Sequence, residues 1–168
     1  WTINVIKIQI GIVYLFAGIA KLNYEWLFEA QPLINWLKHL TDFPFIGQLL
    51  REDFTAYLFS WAGALFDLSI FFILINNRLR IYGYALVVIF HLMTSIMFPI
   101  GVFPLVMICS TLIFFSEGFH VKIISFISKI LFISKKDTNN STYSFSNSTK
   151  SFFKILFISF FALQLFLP

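Results

Sequence analysis

Three apolar runs, each close to the length of a membrane crossing, constrain this chain more than anything else in it. A helix needs about 20 largely apolar residues to traverse the hydrocarbon, and the runs predict crossings over Ile3 to Leu22, Ala56 to Ile75 and Ile81 to Phe98. In water such runs would expose far more apolar surface than a soluble domain tolerates. Hydrophobic residues make up 59% of the chain, charged residues 12%, and phenylalanine alone contributes 24 positions; mean hydropathy is +0.85. These values lie outside the range of soluble domains. The expected fold is all-α: a multi-pass transmembrane helical bundle with an extracytoplasmic interfacial segment.

That segment is the polar-aromatic stretch from Asn23 to Asp53. Trp26 and Trp36 read as interfacial anchors there. Leu33, Ile34, Leu37 and Leu40 recur at helical spacing, with Pro32 suited to a helix start. After the third crossing, Pro99-Ile100-Gly101-Val102-Phe103-Pro104 breaks the helix, because proline lacks an amide donor and disfavours helix before it. Leu105 to Phe115 is short for a full crossing, which leaves a re-entrant arm open as the alternative. His120 to Ile133 carries Lys122 and Lys129 among isoleucines and phenylalanines and reads as an interfacial or short helix. The chain divides into a membrane domain over 1–133, a Ser/Asn/Thr/Lys-rich linker over 134–151, and a further crossing over 152–168. The sequence is expected to be a piece of a longer protein.

Net charge of +4 and a pI near 9.3 reflect basic residues clustered in loops beside apolar runs, the pattern of cytoplasmic loops. Arg78, Arg80, Lys122, Lys129, Lys135 and Lys136 go inside, and the acidic Asn23 to Asp53 loop goes outside. Crossing by crossing, this puts Lys7 inside and Lys21 at the extracytoplasmic end of the first span, in a bacterial-type plasma membrane. The chain contains one cysteine, Cys109, so no internal disulfide is possible.

Three ionisable side chains fall within or at the edge of the hydrocarbon: Lys21, Asp67 and His91. Lys or Asp at a helix centre costs about 2.5 to 3.5 kcal/mol on insertion scales, so each calls for a partner or a polar cavity. Gly11, Tyr14, Gly18 and Lys21 share one helical face, and its small residues admit a close neighbour. Asp67 shares a face with Ser60, Gly63 and Ala64, and His91 with Tyr84, Thr94 and Ser95. Lys21 is either an anchor whose amine snorkels to the interface or a buried amine. Paired with Asp67 it reads as structural; unpaired in a dry site it reads as a neutral amine able to act as a base. Asp67 is read as tying spans together or serving directly, and His91 as a core histidine satisfied by a hydroxyl or as a functional one. No His/Cys set has metal-ligand spacing, no glycine-rich phosphate loop or Gly-x-Ser-x-Gly elbow occurs, and no basic aromatic face suggests nucleic acid.

Tyr14-Leu15-Phe16-Ala17-Gly18-Ile19-Ala20-Lys21-Leu22 resembles the Tyr-x-x-Ala-Gly-x-x-Lys-Leu stretch of the vitamin K-dependent gamma-carboxylase family, within the wider group of horizontally transferred transmembrane (HTTM) domain proteins. Gly63-Ala64-Leu65-Phe66-Asp67-Leu68 resembles the family's Gly-x-x-x-Asp-Leu helix. Phe90-His91 and Ile100-Gly101-Val102-Phe103 are similar to its Phe-His helix and Ile-Gly-x-Phe turn. The motifs occur in order over Gln9 to Phe119. Ala20 stands where animal carboxylases have the first of two adjacent lysines, and Thr94 where many relatives have asparagine.

The resemblance implies that Lys21 is the catalytic base that deprotonates reduced vitamin K, a hydroquinone, with Asp67 and His91 in supporting roles. Oxygen then adds on the way to the epoxide, and the strong base so formed removes a γ-proton from a protein or peptide glutamate that takes up CO2. The alternative is a non-catalytic membrane module that binds lipid, quinone or a protein partner, its ionisable residues locking helices together. A transporter is a third possibility, but no paired broken helix suggests an inverted repeat.

Overall fold

In a computed structural model of the chain, residues 2–40, 47–130, 151–152, 154–156 and 158–160 are described. Those residues form helices and turns without a strand, in two compact units, 1–117 and 118–168. Helix α1 runs Thr2–Ala20, the short helices α2 and α3 run Tyr24–Phe28 and Leu33–Lys38, and α4 is the single turn Gly47–Leu50. The long helices α5 and α6 run Asp53–Ile75 and Arg80–Met97. Helix α7, Phe103–Thr111, continues into a 3-10 turn, Leu112–Phe114, and α8 runs Glu117–Ile130.

Helices α1, α5 and α6, of 19, 23 and 18 residues, are long and apolar enough to cross a membrane. At 1.5 Å per residue they extend about 28, 34 and 27 Å, against a hydrocarbon core of about 30 Å. Their bounds lie within a few residues of those expected. Leu65, Phe72, Ile89 and Ile96 point outward and are exposed, the surface a lipid-facing bundle presents. Helix α7 and its 3-10 turn cover only Phe103–Phe114, about 18 Å. Gly101, at φ +65°, takes the left-handed conformation that glycine adopts without strain in the turn before it. The linker residues 134–150 lie outside the described residues, as does much of the expected last crossing, whose described positions between 151 and 160 are helical.

The bundle packs around α1 and α5. Its core joins Ile10 and Tyr14 of α1, Ile70 and Leu74 of α5, Val87 of α6, Met107 of α7 and Phe114. Close approach depends on glycine: a Cβ added at Gly11 would stand 2.4 Å from the Phe71 ring, and one at Gly18 2.7 Å from Leu68. A second core, of Ala30, Leu33, Leu37 and Leu50 against Ala56 and Met97, seats α2 to α4 on α5 and α6.

The turn after α5 is closed by a side chain that satisfies carbonyls left unpaired at the helix end. Arg80 Nε donates to the Leu74 carbonyl at 2.9 Å, and its Nη2 donates to Ile75 O at 3.1 Å and to Asn77 Oδ1 at 2.5 Å. The arginine that reads as a topology signal also caps the end of α5.

The glycines differ in what they permit. Around Gly63 an added Cβ would meet nothing within 4 Å. Thermal melts of the purified protein in detergent should therefore show Gly11→Ala losing about 1 to 3 kcal/mol to overpacking. Gly63→Ala should stay within about 0.5 kcal/mol of wild type or gain slightly from helix propensity.

Candidate functional site

The site begins at a helix end that turns back on itself. Asn23 closes α1 and opens α2: its Nδ2 donates to Ala20 O at 2.8 Å, and its Oδ1 accepts from the Trp26 amide at 2.8 Å. An asparagine at this position satisfies orphan groups of both helices. Four hydrogen bonds then fasten α2 to α5. Trp26 Nε1 donates to Ser60 O at 3.0 Å, and Ser60 Oγ donates to Trp26 O. Trp61 Nε1 donates to Leu27 O at 2.9 Å, and Tyr57 OH donates to Phe28 O at 3.0 Å.

Lys21 lies just before this fastening, and its side chain does not run outward. Its Nζ donates to Ala17 O, one turn back on its own helix, at 3.1 Å, and to Asp67 Oδ2 at 2.6 Å. It also stands 5.3 Å from the centroid of the Trp26 ring, within cation–π range. The lysine side chain is 20% exposed and that of Asp67 6%. An anchoring lysine extends its amine toward water; this one folds toward the bundle interior. Of the two states weighed from sequence, the paired one holds: Lys21 is not free of Asp67.

His91 is buried and bonded to a hydroxyl, but not to one on its own helix. Its Nε2 lies 3.1 Å from Tyr14 OH of α1. Thr94 Oγ1 instead donates to the His91 carbonyl, at 3.1 Å, and Tyr84 packs edge-on against Phe115. The imidazole is ringed by Phe66, Phe90 and Phe103, with centroids 6.2, 5.4 and 6.1 Å away.

Lys21, Asp67 and His91, far apart in sequence, line one cavity of about 280 Å³. Tyr14 and Thr94 add hydroxyls. Trp26, Trp36, Phe59, Phe90, Phe98 and Phe103 supply aromatic wall, and Gly63, Met93, Met97 and Met107 complete much of the rest. Trp26 and Trp36, expected as interfacial anchors, both face this space. Neither a role for Tyr14 nor the inward use of Trp26 was read from the sequence. The Asn23-x-x-Trp26 spacing fits a helix cap, but the Tyr14 to His91 contact has no local signal. No group of three metal-ligating side chains occurs among the described residues.

A sequence model of the HTTM domain matches residues 1–119. The chain belongs to the HTTM domain family. This is also the domain found in vitamin K-dependent carboxylases. The match takes in α1 to α7 and every residue of the cavity. No solved structure matches the chain.

The Lys21–Asp67 contact has a measurable signature. Removing one partner of a buried pair strands the other charge and costs about 3 to 5 kcal/mol, whereas replacing both is far milder. The Lys21 side chain is 20% exposed, so the cost falls somewhat below that range. Asp67→Leu should lower stability in detergent by about 2 kcal/mol or more, and Lys21→Met combined with Asp67→Leu should recover most of the loss. Additive losses in the double variant would show that the pair is not coupled.

Proposed function

We propose that this HTTM protein is a membrane enzyme resembling the vitamin K-dependent gamma-carboxylases, with Lys21 as base toward a quinol in the cavity. The observation that carries the reading is the convergence of Lys21, Asp67 and His91 on one aromatic-walled cavity; the Asp67 contact, structural by itself, also gives the lysine a proton acceptor at 2.6 Å. Residues and ligand class agree. Small-molecule sites are mostly apolar with a few placed polar groups, and about 300 to 1,000 Å³ is usual. At about 280 Å³ this cavity falls just under that range, room for a flat aromatic head with its apolar tail left to extend between helices.

When bound, a reduced vitamin K hydroquinone would supply the acidic hydroxyl and, with O2, the oxidative chemistry that drives carboxylation by CO2. The protein's part is proton handling and exclusion of water. Across 2.6 Å the Lys21 ammonium can pass a proton to Asp67 Oδ2, which leaves a neutral amine and a neutral carboxyl. That amine can then accept a proton from a ligand hydroxyl in the cavity, the role of a general base within hydrogen-bond reach. Ala17 O can accept from Nζ in both states, while the Trp26 ring favours the ammonium form. Tyr14 and His91 fix each other on the same cavity and act as supporting polar groups. The carbon acceptor is proposed to be a protein or peptide glutamate. The proposal includes the orientation expected from the loop charges, with Lys21 near the extracytoplasmic side of a bacterial-type plasma membrane.

A second reading rests on the same contact. A 2.6 Å ion pair between α1 and α5 is also how a non-catalytic module for lipid, quinone or a protein partner would lock its helices. The two separate in nanodiscs carrying the full chain, given reduced vitamin K, oxygen and labelled bicarbonate. The wild type should form epoxide, and Lys21→Ala should lose about 10²- to 10⁴-fold of it while still quenching tryptophan fluorescence on quinol binding. Wild type that binds the quinol and makes no epoxide would favour the binding module.

A further inference from the structure

At the other end of α1, about 21 Å from Lys21 along the helix axis, a second polar constellation has no part in the chemistry above. Asn4, Lys7 and Arg80 line a cavity of about 360 Å³ with Ile8, Phe71 and Phe114, and no carboxylate among the described residues lines it. Two cations thus face one space without an acidic neighbour. Lys7 Nζ makes no hydrogen bond or ion pair among the described residues; its contact is the Phe114 ring, 5.8 Å away. Arg80 commits Nε and Nη2 to the end of α5. Its Nη1 makes no hydrogen bond among the described residues, so donors remain for an anion.

The cavity borders an apolar groove of about 180 Å³ between α1 and α5, and Ile8 and Phe71 line both. Ile12, Leu15 and Leu68 wall the groove; Asp67 also lines it, and its carboxylate is taken by Lys21. A basic cavity adjoining an apolar groove at a helix end matches a charged headgroup with an attached acyl chain. Basic pockets between transmembrane helices hold anionic lipid headgroups by this logic.

We propose that Asn4, Lys7 and Arg80 form a binding site for an anionic phospholipid, its phosphate in the basic cavity and one acyl chain in the α1–α5 groove. Free phosphate shares the headgroup chemistry but leaves the groove unused. The leaflet is the one opposite Lys21, the cytoplasmic leaflet if the loop charges set the orientation.

The test is native mass spectrometry of the full chain in detergent, titrated with phosphatidylglycerol, phosphatidylcholine or inorganic phosphate. Wild type should retain phosphatidylglycerol over phosphatidylcholine. Lys7→Gln should cut that preference about fivefold, the worth of one basic residue near a lipid surface, and Lys7→Arg should keep it. Leu15→Trp, at an exposed position on the groove, should weaken phosphatidylglycerol binding with the charges intact. Circular dichroism and elution volume matching wild type would qualify each variant. An unchanged preference in Lys7→Gln would overturn the proposal. So would displacement of the lipid by equimolar inorganic phosphate, which would mark the site as one for a soluble anion.

Discussion

An ionised side chain inside a hydrocarbon slab must be answered from within the protein, and the Lys21–Asp67 contact is where this chain meets that demand. Lys21 directly follows α1 and Asp67 sits on α5, the helices that organise the bundle, and their 2.6 Å contact ties the end of α1 to α5. The glycines at 11 and 18 bring the backbones close enough for the contact to form. The fastening of α2 to α5 then brings Trp26 over the amine. Without the pair, either residue would face desolvation alone.

Much of this was legible in the sequence because it rests on periodicity and length. Runs near twenty residues set the three long helices within a few residues, and the Pro99 to Pro104 break falls between α6 and α7. The buried faces of α1 and α5 were also readable, since Gly11, Tyr14 and Gly18, and Ser60, Gly63, Ala64 and Asp67, recur at helical spacing. That Lys21, Asp67 and His91 converge on one cavity was not readable from spacing. Convergence depends on how three helices pack, and a separation of 77 positions between Tyr14 and His91 leaves no local record of their contact. The direction of the lysine was equally hidden. Snorkelling outward and folding back to the i−4 carbonyl are both open to a lysine at a helix end, and only the Asp67 carboxylate chooses between them.

The two ends of α1 answer their charges differently. At one end the amine is matched by a carboxylate from a neighbouring helix and enclosed by aromatic rings. At the other, Lys7 faces a cavity that contains a second cation and no acid. Arg80 connects this second region to the fold itself, because the guanidinium that lines the cavity also terminates α5.

Gly63 behaves unlike Gly11 and Gly18. It lines the cavity, and the space where its side chain would be belongs to the cavity rather than to a neighbouring helix. A side chain at position 63 would therefore trim the cavity at no expense to the fold: each added carbon would subtract room there without disturbing the packing of the spans.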